Sequence, residues 1–226
     1  MSIGTYLIYF ALLLIIPMWA QMKVKSTYKK YSQIAISSHM TGAQVARKIL
    51  DDNGLYDVQI EEVKGVLSDH YDPRQKVVRL SSGNFHGYSM AAAAVAAHEV
   101  GHAIQDAEEY GFLKFRTALV PLASFGSGSA IWIILIGFIF GKMNLVLVGI
   151  VFMAFAVLFQ LVTLPVEFNA SSRAMDQLVM TGIIQNSEER ETKKVLDAAA
   201  LTYVAAALVA VAELIRFILI FANSND

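Results

Sequence analysis

Four long apolar runs restrict what this 226-residue chain can fold into more than any other feature. They cover about Ile3 to Ala20, Val120 to Phe140, Leu145 to Leu164 and Ala198 to Ala222. A helix needs about 20 apolar residues to cross the hydrocarbon layer of a bilayer, and each run has roughly that length. Backbone polar groups at that depth meet no water, so a helix that pairs them internally is the expected form of each run. Composition agrees. Hydrophobic residues make up 56% and charged residues 16%, whereas a soluble domain carries about a quarter charged residues.

The first run is read as an uncleaved anchor rather than a secretory signal peptide. No basic side chain precedes it, and Lys23, Lys25, Lys29 and Lys30 follow it, the reverse of signal-peptide charge order. Only Gly141-Lys142-Met143-Asn144 separates the second run from the third, so the pair reads as a transmembrane hairpin. Glu213 and Arg216 interrupt the last run three residues apart. They are expected to pair on one helix face, near an end where arginine can reach the interface.

The expected organisation is an anchor over 1–20 and a polar α+β part over 21–117. A transmembrane hairpin over 118–164, a helical segment over 165–196 and a last transmembrane helix over 197–226 complete it. Of 18 Lys and Arg, twelve lie between positions 21 and 117, and four (Arg173, Arg190, Lys193 and Lys194) lie between the third and fourth runs. The positive-inside bias puts both segments in the cytosol and both chain ends outside. The net charge of −1 offers no basic surplus for phosphates, so nucleic acid is not an expected partner. There are no cysteines, so any metal must be held by nitrogen and oxygen, and the five histidines are the residues to follow.

Within the polar part, Thr41 and Gln44 have capping-box spacing and open a helix that Gly54 closes. Tyr56 to Val63 and Lys76 to Leu80 alternate as short strands do, with Asp72-Pro73 a turn between them. From Ser89 the chain becomes alanine-rich and helical. That helix carries His98-Glu99-Val100-Gly101-His102, the HExxH pattern.

Residues four apart share a helix face, so both imidazoles can reach one ion. Zinc lowers the pKa of its water towards neutrality, and Glu99 is placed to accept that proton and pass it to a leaving amine. A chance HExxH is expected in about one such chain in 200, so context must carry the reading. Met90 to Ala97 is small and apolar, and a histidine pair there would otherwise face an apolar wall unsatisfied.

A catalytic zinc needs a third protein ligand and an open position for water. Glu167, in Pro165-Val166-Glu167-Phe168-Asn169-Ala170-Ser171, is the best candidate. It follows an apolar run directly, where Pro165 can bend or restart the helix, and Ala170 and Ala174 keep its face thin. His70, His86, Asp106 and Glu108 compete for the position. Asp106, four residues after His102, fits better as a group that supports a ligand histidine than as a ligand.

HEVGH followed by Glu167-Phe168-Asn169-Ala170-Ser171 resembles the gluzincin layout of membrane metallopeptidases such as HtpX and the CAAX-processing proteases. Asp69-His70-Tyr71-Asp72-Pro73, Val77-Val78-Arg79-Leu80-Ser81, Ala96-Ala97-His98, His102-Ala103-Ile104-Gln105 and Leu164-Pro165-Val166-Glu167-Phe168 look more closely like the bacterial YugP-type family of neutral zinc metallopeptidases. The resemblance covers nearly the whole chain. It implies one Zn2+ ion, cytosolic-side proteolysis and Glu167 as third ligand. HtpX-like proteins carry Asp four residues after the ligand Glu, where this chain has Ser171, so the resemblance implies that Ser171 steadies a ligand histidine. It also places the Lys76 to Leu80 strand at a sheet edge, where an extended peptide could pair. His86, Tyr71, His70 and Arg173 are the candidates for stabilising an oxyanion.

The expectation is therefore a mainly α membrane protein with about four transmembrane helices and a small cytosolic α+β, gluzincin-like domain. It would be a zinc endopeptidase of the bacterial plasma membrane acting on peptides or membrane proteins beside the bilayer. Two rivals remain: an intramembrane site-2-type protease, with HExxH inside a spanning helix, and a non-catalytic scaffold with a closed zinc site.

Overall fold

The computed structural model describes residues 3–224. In chain order its elements are α1 (Ile3–Tyr31), α2 (Gly42–Asp52), β1 (Gln59–Val63), β2 (His70–Asp72), β3 (Val77–Ser81), α3 (Ser82–Phe85), α4 (Met90–Ala107), α5 (Gly111–Ile139), α6 (Met143–Met180) and α7 (Asn186–Asn223). Four of these helices, α1, α5, α6 and α7, are long and apolar enough to cross a membrane. Chain contacts group the residues into two compact units.

One unit contains residues up to Pro17, Gly111–Pro165 and the chain from Tyr203 onward. Ile134, Val146, Ile150 and Phe217 are buried together within it. Its outward side chains are large and apolar, including Leu7, Leu14, Trp132 and Ile139, the pattern of a surface that meets lipid. Gly141, at φ +62°, makes the turn between α5 and α6 in a conformation that costs glycine little. Small residues bring the two helices close. A Cβ on Gly149 would lie 2.5 Å from Ile134 Cγ1 and 3.0 Å from the Ala130 carbonyl oxygen.

The other unit contains Met18–Tyr110 and Val166–Thr202. Thr41 and Gln44 form the expected capping box on α2, and Gly54 takes φ +71° just past its end. Val45, Ala46, Ile49 and Leu50 of α2 are buried in one core with the alanines of α4, Val78 and Leu80 of β3, and Ala174 and Leu178 of α6.

The structure extends one expectation, narrows a second and corrects a third. First, the helices outrun the apolar segments: α1 continues to Tyr31 and α6 to Met180. Lys, Met and Gln form helix as readily as leucine does, so polarity ends a span without ending its helix. Second, α6 passes through Pro165 with no restart. The missing N–H leaves a carbonyl one turn back without its usual partner, and the helix absorbs that loss. Third, the sheet order is β1-β3-β2, so Val77–Ser81 is the central strand and not an edge. It pairs parallel with β1 and antiparallel with β2, a three-residue strand that lies where the sequence suggested only the approach to a turn.

Candidate metal centre

Alanine is the best helix former, and the Ser89 hydroxyl caps the Ala92 N–H at 3.1 Å, so α4 starts where the sequence suggests. The helix is buried along most of its length, and only very small side chains let its neighbour come close. Gly101, inside HEVGH, shows why. A Cβ there would lie 2.6 Å from the carbonyl oxygen of Ala170, on the part of α6 that carries Glu167.

That approach brings His98, His102 and Glu167 together, with one ligand atom of each within 4.8 Å of the others. Glu167 Oε2 lies 3.2 Å from His98 Nε2 and 3.4 Å from His102 Nε2. The two rings stand edge to face, centroids 4.8 Å apart. Tetrahedral zinc with bonds of 2.0–2.2 Å separates its ligands by about 3.3–3.6 Å, so both measured edges suit such an ion. The donor set, two imidazoles and a carboxylate, is that of a zinc site with one position left over. Glu99 is buried on the same helix, between the two histidines in sequence.

The far nitrogens of both rings are also engaged. Ser171 Oγ lies 3.2 Å from His98 Nδ1, and Gln105 Oε1 lies 3.0 Å from His102 Nδ1. Gln105 is fully buried, and its Nε2 donates to the Val166 carbonyl at 2.8 Å and to Asn169 Oδ1 at 2.9 Å. Arg173 Nε donates to the same Asn169 oxygen at 2.7 Å. A guanidinium can only donate, and this sets the direction of the whole chain. Asn169 accepts, Gln105 presents its NH2 to Asn169 and its oxygen to His102, and His102 Nδ1–H donates. In the neutral ring the lone pair of His102 is thereby left on Nε2, the nitrogen that faces Glu167. Burial opposes a charge on His102, but the Glu167 and Glu99 carboxylates outweigh it and hold the ring's pKa above the ordinary histidine value.

The remaining candidates lie outside the His-His-Glu group. His70 is exposed, its Nδ1 2.9 Å from the Ser68 carbonyl oxygen. His86, also exposed, contacts Glu62 at 3.1 Å. Asp106 accepts from the Tyr71 hydroxyl at 2.9 Å, and burial with that carboxylate pushes the phenol well up. Gln105, not Asp106, is the group that meets the His102 ring. Glu108 pairs with Arg173 at 2.7 Å, which lowers the Glu108 pKa. The sequence reading therefore missed Gln105 and Asn169. A buried amide three residues after His102, on a helix otherwise small and apolar there, was the signal available.

Four apolar helices and a His-His-Glu group, its histidines partly buried and its glutamate buried, define a membrane protein with a candidate metal centre. The chain belongs to the family described as "putative neutral zinc metallopeptidase", whose pattern matches residues 6–222. It is 55% identical over 208 residues to "Putative membrane protease YugP" of Bacillus subtilis (strain 168), covering 92% of each chain. No solved structure matches.

Proposed function

We propose that this chain is an integral-membrane zinc endopeptidase with a gluzincin-like site, cleaving peptide segments beside the cytosolic face of the plasma membrane. The observation that carries the reading is the convergence of both HEVGH imidazoles on the Glu167 carboxylate, with Glu99 buried on the same helix. His98, His102 and Glu167 hold the ion. A bound zinc supplies a Lewis acid that polarises a carbonyl and brings a water's pKa towards neutrality. Glu99 takes the proton of the attacking water and returns it to the leaving amine. Ser171 and Gln105 fix the orientation of the two rings.

The name of the Bacillus subtilis relative, "Putative membrane protease YugP", is in line with the same reading. Of the two edge strands, β1 and β2, β2 is the one tied to α4, through Tyr71 and Asp106, and it offers an edge for pairing with an extended peptide. The site-2-type alternative is disfavoured because α4, which carries HEVGH, is not among the four helices suited to span a membrane. A closed scaffold site is disfavoured because, among the described residues, no fourth His, Asp or Glu joins the group.

The test is metal analysis together with proteolysis by the purified wild type and Glu99→Gln. The reading requires about one zinc per chain in both and cleavage in the wild type alone. A wild type without zinc, or a variant that cleaves equally well, overturns it.

A further inference from the structure

Away from the metal centre, a cleft of about 580 Å3 opens between two polar helix segments. Lys23, Ser26, Thr27, Lys30 and Tyr31 of α1 line one wall, and Lys194, Asp197, Ala198 and Leu201 of α7 line the other. Each set recurs at three- and four-residue intervals, so each is a single helix face. Lys25 and Lys29 belong to the same stretch of α1 and do not line the cleft.

The lining is suited to an anion. Three ammonium groups and the Thr27 hydroxyl line the space with the one carboxylate of Asp197, while the Ser26 hydroxyl donates to the Lys23 carbonyl and the Tyr31 hydroxyl to Glu191. Lys193 neutralises that carboxylate at 2.8 Å. Lys194 is already paired with Glu191 at 2.5 Å. Lys23 and Lys30 have no carboxylate within ion-pair distance among the described residues; Lys30 rests over the Tyr31 ring, 5.0 Å from its centroid. The α1-wall lysines thus form no ion pair among the described residues, although Lys30 is in the field of Glu191, which Lys194 and the Tyr31 hydroxyl already hold.

Position specifies the anion. The α1 lysines follow directly on the apolar run that ends at Ala20, and the α7 wall begins where the run from Ala198 begins. Both walls thus lie at the depth where an apolar span gives way to water, which is headgroup depth. Ala198 and Leu201 add apolar side chains to the lining. A phosphate bearing acyl chains meets both cations and apolar side chains there; a free phosphate has no use for the latter.

We propose that this cleft binds the phosphate of an anionic phospholipid, with Lys23 and Lys30 as its principal cations. This site is independent of the zinc reading and persists in a protein without metal.

The experiment uses the full-length protein in neutral detergent, titrated with phosphatidylglycerol, with phosphatidylcholine and with inorganic phosphate, and bound molecules counted by native mass spectrometry. The expected result is one retained phosphatidylglycerol in preference to phosphatidylcholine. In Lys23→Gln/Lys30→Gln its affinity falls about 30-fold, the effect of two lysines at a membrane surface. In Lys25→Gln/Lys29→Gln, with the same change in charge, affinity is kept. All four lysines are exposed, so neither variant threatens the fold. The proposal is overturned if both double variants lose affinity equally, which would make the preference one of net charge. It is also overturned if the two lipids bind alike, or if millimolar inorganic phosphate displaces the phosphatidylglycerol.

Discussion

At the scale of single residues, the chain Arg173–Asn169–Gln105–His102 ties the tautomer of His102 to a guanidinium that can act only as a donor. Replacing Gln105 with Leu leaves His102 Nδ1 without its acceptor and leaves the Asn169 oxygen with Arg173 as its remaining donor. Removal of such outer partners costs about 10–100-fold in metal affinity, and that loss is expected for Gln105→Leu in a zinc competition titration. Arg173→Leu should cost less, because Gln105 still holds the Val166 carbonyl and keeps its orientation. Equal zinc affinity in wild type and Gln105→Leu would show that the ring needs no such support. The raised pKa of His102 adds a second expectation. Its proton must leave before Nε2 can bind metal, and the metal-free protein keeps that proton to a higher pH than an ordinary histidine would. Zinc affinity should therefore fall as pH drops, with the decline beginning above about pH 6.5. An affinity that stays flat from about pH 8 to below that value would contradict the direction.

Between elements, the crossing of α4 and α6 at Gly101 and Ala170 determines whether a centre exists at all. Alanine in place of glycine favours an exposed helix by about 1 kcal/mol, but overpacking a tight contact costs about 1–3 kcal/mol. The obstacle here is the Ala170 backbone, which cannot rotate aside as a side chain could. The packing cost should win: Gly101→Ala is expected to lower the thermal midpoint and to lose zinc together with it. A variant that is more stable and still loads zinc would mean the helices can part without harm. The sequence makes α4, α2 and the ligand trio legible because each depends on local spacing: the Thr41–Gln44 box, the four-residue interval of HEVGH, and the polar residue following an apolar run. Strand order is another matter. β2 has three residues next to Pro73, too few for alternation to register, and its pairing with β3 is decided by tertiary contact. The continuity of α6 through Pro165 was likewise hidden, since proline argues for a break wherever packing does not overrule it.

Across the whole molecule, membrane orientation joins the site to its substrates. The four candidate spans were legible as lengths of apolar sequence, although the helices that contain them extend past each run. Orientation must be argued from charge. Sixteen of the 18 Lys and Arg lie in the two segments that four spans place on one side; only Lys142 and Arg216 do not. Arg216 pairs with Glu213 at 2.5 Å, which leaves Lys142 as the one basic residue in the α5–α6 turn. That distribution favours the metal centre in the cytosol and the turn outside. The chain has no cysteine, so single introduced thiols report without background. Lys64, Lys142 and Glu189 are exposed and suit replacement. An impermeant maleimide should label Lys142→Cys on intact cells and reach Lys64→Cys or Glu189→Cys only after the membrane is opened. The reverse pattern would put the centre on the outer face, and the substrates would then have to be sought there. Labelling of Lys64→Cys and Glu189→Cys from opposite sides would mean that one of α5 and α6 does not cross, since these are the two candidate spans between the labelled positions.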